Sequence, residues 1–107
     1  MKSIISMEEF YKVIEDEKPS FIYFYTNWCP DCFAIKPHLP RLENEFTNIE
    51  FYQMDRDLEL ELAMHLNIYG IPSFLMFSQG EEIGRFVSKF SKSYLEVRSF
   101  IEESIKG

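Results

Sequence analysis

Cys29 and Cys32 are the chain's two cysteines, and they stand two residues apart in the run Trp28-Cys29-Pro30-Asp31-Cys32. Thiols at this spacing can close a disulfide or supply half of a tetrahedral zinc site. Zinc asks for four ligands, usually with a second close pair. Only His38 and His65 remain, far apart in sequence, so we expect no metal. A c-type haem asks for His directly after the second Cys, and Phe33 is there instead. What is left is thiol–disulfide exchange, the chemistry that a C-x-x-C pair carries in a βαβ setting.

That chemistry depends on what positions the pair. Phe21-Ile22-Tyr23-Phe24-Tyr25 is a nearly continuous apolar run, which is how a strand buried on both faces reads. Asn27 to Asp31 reads as the turn out of it, and Ile35, Leu39, Leu42 and Phe46 then recur at helical spacing. The motif therefore opens a helix. Unpaired backbone N–H groups and the helix dipole favour an anion there, and Pro30 fits a first turn where its missing donor is not needed. This placement predicts Cys29 exposed at the cap, as the thiolate that attacks a substrate disulfide. Cys32, about one turn further in and less accessible, resolves the mixed disulfide. Trp28, beside Cys29, either offers a docking surface or packs over the motif. Asp31 puts a carboxylate between the thiols, where it opposes a thiolate at Cys29. Trp28, Pro30 and Asp31 are thus expected to tune the site.

The rest of the chain supplies a frame for this pair. Ser3 to Ile5 reads as a short first strand. Ser6-Met7-Glu8-Glu9 reads as a capping box, followed by a stripe of Phe10, Val13 and Ile14 and ended by Pro19. Pro37 and Pro40 should kink the motif helix. Ile49 to Met54 reads as a strand, Asp55 to Asp57 as a turn able to cap a helix, and Leu58 to Leu66 as that helix. Ser73 to Phe77 and Glu82 to Val87 read as a hairpin turned at Gln79-Gly80. Ser91 or Ser93 caps a last helix whose inner face is Val97, Phe100, Ile101 and Ile105. The order β-α-β-α-β-α-β-β-α needs parallel crossovers in the front half and a hairpin with a covering helix behind. His38 and His65 read as solvated.

At 107 residues the chain is expected to form one α/β domain, residues 1–107. It is 46% hydrophobic and 17% aromatic, enough for a core that needs no disulfide staple. A formal net charge of −7 without a basic cluster argues against nucleic acid and against an anionic membrane. No run approaches the ~20 apolar residues of a membrane span. The apolar start is too short for a secretory segment and acidic residues follow at once, so we expect a cytoplasmic, monomeric protein. In a reducing compartment two close cysteines are catalytic or metal-binding sooner than structural.

A second element, Gly70-Ile71-Pro72-Ser73, stands before the hairpin. Pro is tolerated as the first residue of a strand, and on sequence alone an ordinary trans turn is the simplest reading. Taken together with Trp28-Cys29-x-x-Cys32, Pro37 and Asp55 in the same order and spacing, however, the chain resembles thioredoxins over nearly its whole length. The resemblance implies a thioredoxin fold, a mixed five-stranded sheet in the order 1-3-2-4-5 with about four helices. It implies a cis Pro72 facing the cysteines, with the Ile71 backbone offered to an extended substrate. The chain departs from the family at several points. Pro30-Asp31 stands where Gly-Pro is usual, a form like that of thioredoxin-related proteins with narrower substrate ranges. Tyr23 and Phe51 stand where a buried Asp and its Lys partner are usual, and either charge alone would be unpaired. Ser88 replaces a Gly of the docking rim. The proton acceptor for Cys32 is left open among Asp31, Tyr23 and water.

These readings converge on a reductase of protein disulfides or of mixed disulfides with small thiols. It would need no bound cofactor and would draw electrons from a thioredoxin-reductase-like flavoenzyme or a low-molecular-weight thiol. Oxidase or isomerase activity is the nearer alternative, and a redox-sensing adaptor with little turnover is the alternative of a different class.

Overall fold

The computed structural model describes all 107 residues. Its centre is β2 (Ser20–Tyr25), hydrogen-bonded in parallel to β3 (Glu50–Asp55) and antiparallel to β4 (Ser73–Ser78). β1 (Lys2–Ser3) adds in parallel beyond β3, and β5 (Glu81–Phe86) closes the other edge against β4, giving the order β1-β3-β2-β4-β5. β2 and β4 are buried on both faces because helices cover both sides. Alternation along each strand sends Phe21, Tyr23, Phe74 and Met76 into one core, and Ile22, Phe24, Leu75 and Phe77 into the other.

The first core is the one that matters for the cysteines, since both belong to it. It is built of rings. Phe21 lies 4.8 Å from Phe51 and 5.2 Å from Phe74 between centroids, and Tyr23 stacks on Phe74 at 5.6 Å. The helices α2 (Pro30–Ile35) and α3 (Leu39–Glu45) and the last helix α5 (Tyr94–Lys106) contribute to it. Between α2 and α3 a single 3-10 turn, Lys36–His38, holds Pro37. Proline removes a backbone donor, so the kink expected from Pro37 takes this form. The helices α1 (Met7–Val13) and α4 (Leu60–His65) cover the other face. Counting the kinked α2–α3 unit once, four helical elements flank the sheet.

Several local readings shift. Ser6 caps α1 by accepting from the Glu9 N–H, but the Glu9 carboxylate returns to Ile5 N and not to Ser6 N, so the box is not reciprocal. Ser93, with Glu96 returning its bond, is the cap of α5. The Asp55–Asp57 turn does not cap α4; Asp55 Oδ1 instead accepts from Asp57 N, a local Asx turn. Ile105 is exposed, and Ser104 takes its expected inward place: a Cβ on Gly84 of β5 would lie 1.9 Å from Ser104 Oγ. The hairpin turn is as expected, with Gln79 at φ 53° and Gly80 at φ 82°. No helix is long and apolar enough to cross a membrane.

Candidate functional site

Cys29 is the residue at which β2's exit turn becomes α2. Its backbone is extended (φ −93°, ψ 110°), Pro30 takes the first helical turn, and its Sγ accepts from the Cys32 N–H at 3.1 Å. The sulfur thus does the work that Ser or Asp does at an ordinary helix cap. The geometry also corrects one expectation: Cys29 is 5% exposed, not open to solvent. The helix bond turns its sulfur back toward the motif, and the side chain belongs to the aromatic core, against which Ile71 also packs. Both cysteines are free thiols.

Cys32 is fully enclosed. Burial first, then its hydrogen bond with Cys29, pushes its thiol up to about 12, with the Thr26 backbone N–H offsetting part of the rise. It therefore stays protonated at neutral pH. Tyr23 lies directly beneath. Its hydroxyl donates to the Cys32 carbonyl at 2.8 Å, and burial, followed by the charges of Cys32 and Cys29, drives its own ionisation well above the ordinary tyrosine value. A phenol that is donating and is this hard to ionise cannot act as a base near pH 7, which removes Tyr23 from the candidates for Cys32's proton. Thr26, also fully buried at the end of β2, has a hydroxyl without a partner.

Trp28 is 62% exposed, so packing over the motif is not its role. Its indole N–H donates to Asp57 Oδ2 at 2.7 Å, the Arg56 guanidinium lies 5.7 Å from its ring centre, and Arg56 binds the other Asp57 oxygen at 3.1 Å. The turn after β3 thus braces the tryptophan beside Cys29, with Arg56 over one face of the ring and most of the side chain still exposed. Asp57 and Arg56 thereby join the candidate site, and a local reading of their turn misses this because Asp57 lies 29 positions from Trp28. Asp31 is half-buried and Pro30 exposed.

The Ile71–Pro72 peptide bond is cis. Pro72 is buried and Ile71 half-buried. Gly70 explains how closely this loop meets the turn after β5: a Cβ on it would lie 2.2 Å from the Ser88 carbonyl oxygen. Tyr69 ties the same two segments, donating to Val87 O at 3.0 Å. His38 and His65, the remaining metal-ligand candidates, are exposed on the 3-10 turn and at the end of α4.

A helix-capping thiol, a second thiol held protonated behind it and a cis-proline loop thus stand at the ends of a 1-3-2-4-5 sheet. The family model for thioredoxin matches residues 2–103. The chain belongs to the thioredoxin family. It is 33% identical over 94 residues to thioredoxin C-2 of Corynebacterium nephridii, covering 87% of this chain and 85% of that one. It is 28% identical over 87 residues to thioredoxin-1 of Schizosaccharomyces pombe, covering 81% and 84%. Among solved structures, thioredoxin of Trypanosoma brucei brucei superposes with a TM-score of 0.87 at 20% identity, covering 98% and 90% of the two chains. Mitochondrial thioredoxin 3 of Saccharomyces cerevisiae gives 0.81 at 24%, covering 99% and 93%. The structural likenesses carry the fold; the family match carries the chemistry. As a thioredoxin-family member with a C-x-x-C pair, this protein is a thiol–disulfide oxidoreductase that acts on disulfide substrates. Tyr23 and Phe51 both lie inside the apolar core that holds the cysteines.

Proposed function

We propose that Cys29 is the attacking thiolate and Cys32 the resolving thiol of a disulfide reductase. The observation that carries this is the asymmetry of the two sulfurs: Cys29 Sγ accepts a backbone N–H at the helix start, while Cys32 is enclosed and held protonated. The Cys29 thiolate attacks one sulfur of a client disulfide. A Cys29–client S–S bond forms, the client's own S–S bond breaks, and the departing sulfur takes a proton from water. Cys32 then loses its proton and attacks Cys29 Sγ. The Cys29–Cys32 bond forms, the mixed disulfide breaks, and the second client sulfur leaves as a thiolate that takes a proton from water, so the client has gained two electrons and two protons. With Tyr23 removed, the acceptor of the Cys32 proton is Asp31 or water.

Trp28 and the Ile71–Pro72 segment are the docking edge in this reading, with the Ile71 backbone meeting an extended client segment. Clients are protein disulfides or mixed disulfides with small thiols. A thioredoxin-reductase-like flavoenzyme or a low-molecular-weight thiol recharges the pair, in the cytosol or another reducing compartment, and the protein acts as a monomer. The test is a pair of trapping variants. Cys32→Ser accumulates mixed disulfides through Cys29 and loses turnover, since attack survives and resolution does not. Cys29→Ser loses both. Equal trapping by the two variants overturns the roles, and mass spectrometry of the Cys32→Ser adducts identifies the clients.

A further inference from the structure

The turn between β5 and α5 folds back on its own lysine. Lys92 is only 6% exposed. Its ammonium donates to the carbonyl oxygens of Ser88 at 3.2 Å and Phe90 at 2.6 Å, and lies 5.4 Å from the centre of the Phe86 ring. None of the chain's ion pairs includes it. A buried charge is costly unless its donors are satisfied, and here two backbone carbonyls take that role in place of a carboxylate.

Its neighbours are those of the redox site. Lys92 lines a cleft of about 490 Å³ whose opposite wall is Ala34, Ile35 and His38, on and just beyond the helix that carries Cys32. Phe86, under the ammonium, packs on the core that holds both cysteines. Ser88, whose carbonyl the ammonium grips, is the residue that Gly70 of the docking loop abuts. The charged and titratable groups that act on Lys92 are Asp31, Cys32, Glu96 and Cys29. Burial, the largest influence, lowers its pKa, and these four pull it back up.

We propose that Lys92 is a positioning cation for the dithiol, a fixed charge that stabilises the anionic reduced form of the motif. The inference rests on Cys29 being the attacking thiol. Lys92 acts on the same thiolate as Asp31 with the opposite sign. For a unit charge at ~6–10 Å and an effective dielectric of ~40, the effect on a neighbouring ionisation is about four- to tenfold.

The test reads alkylation of the reduced protein by iodoacetamide at pH 7, a neutral reagent that the charge does not steer, and the exchange equilibrium with the glutathione couple. Neither needs a client. Lys92→Met and Lys92→Gln should slow alkylation about four- to tenfold. They should shift the equilibrium toward the disulfide by at most that factor, about 18–30 mV more negative, reached where the thiolate is fully populated. Lys92→Gln keeps amide donors for the two carbonyls, so a purely structural role would leave its rate unchanged. Lys92→Arg should stay within about twofold, and added salt should narrow the gap between the wild type and Lys92→Gln. A folded Lys92→Gln protein with the wild-type rate overturns the proposal, as does Lys92→Arg being as slow as Lys92→Gln. If Lys92→Met does not fold, the Gln and Arg variants decide between charge and tether. Alkylation undiminished in Cys29→Ser would overturn the assignment of Cys29 itself, a separate failure.

Discussion

The Tyr23 hydroxyl donates to the carbonyl oxygen of Cys32, so the central strand holds the resolving cysteine through its backbone and not through a charge beside its thiol. The same carbonyl also accepts the Lys36 N–H of the helix. The phenol is therefore an added tether on a carbonyl that is already satisfied.

Tyr23→Phe should accordingly lose one buried hydrogen bond and keep the ring packing on Phe74 and Tyr25. A net loss of about 0.5–1.5 kcal/mol is expected, lowering Tm by about 2–8 °C for a domain of this size. Disulfide reduction should stay within about twofold of the wild type, because the phenol takes no proton. Thermal unfolding and single-turnover release of a mixed disulfide check both halves. A tenfold slower release would return Tyr23 to the proton path.

The raised thiol of Cys32 makes stability depend on alkaline pH. The folded reduced protein holds that proton to about 12, against an ordinary value of 9.0. Between those values the unfolded chain binds fewer protons than the native one, so stability falls as pH rises. It is fully present below pH 9 and lost toward pH 12. Tyr23 acts in the same direction through its own raised ionisation. Urea midpoints of the reduced protein should fall from pH 9 upward, and Cys32→Ser should flatten part of that fall. An unchanged slope in Cys32→Ser would show that the thiol is not the group responsible.

Much of this frame was legible in the sequence, for identifiable reasons. β2 announced itself because a strand buried on both faces must be apolar at every position, and Gln79-Gly80 because a two-residue hairpin needs positive φ at both. The helix start at Cys29 followed from the strand before it and from Pro30. What escaped was set by contacts between distant segments. The burial of Cys29 depends on packing in the ring core. Lys92 sits in a Ser- and Lys-rich turn with every local mark of solvent exposure. Gly70 is required by a carbonyl 18 residues away, at Ser88. The pairing of Trp28 with Asp57 is likewise invisible to any periodic pattern.

That pairing gives the site an optical reporter, since Trp28 is the chain's one tryptophan. The indole N–H, followed by Arg56, holds the Asp57 carboxyl below its ordinary value of 3.8. A depressed carboxylate contributes above its unfolded pKa and loses that contribution as pH falls through the folded one. The tryptophan emission should therefore hold steady down to about pH 4 and change only below it. Asp57→Ala should shift the neutral-pH spectrum and remove the acid transition. Persistence of that transition in Asp57→Ala would mean that another group controls the indole.

Asp31 stands between the two cysteines along the chain, and its carboxylate has two incompatible uses. As a repelling charge at ~7 Å in an effective dielectric of ~40–80, it opposes the Cys29 thiolate by roughly 0.6–1.2 kcal/mol. Asp31→Asn should then speed alkylation at neutral pH by about three- to sevenfold and make the pair more oxidising by at most about 13–26 mV. The shift should shrink as salt is added. As the acceptor of the Cys32 proton, a role left to Asp31 or water once Tyr23 is removed, it acts later in the cycle. Asp31→Asn would then leave alkylation nearly unchanged and prolong the mixed disulfide, because Cys32, kept protonated by its burial, needs a base before it can attack. Stopped-flow alkylation, a redox titration and the lifetime of the mixed disulfide on this one variant separate the two. Faster alkylation with an unaltered lifetime assigns Asp31 to electrostatic tuning alone. A longer lifetime at an unaltered alkylation rate assigns it to proton transfer. If all three stay at wild-type values, Asp31 is an ordinary acidic residue of a helix's first turn, and water is left to take the proton of Cys32.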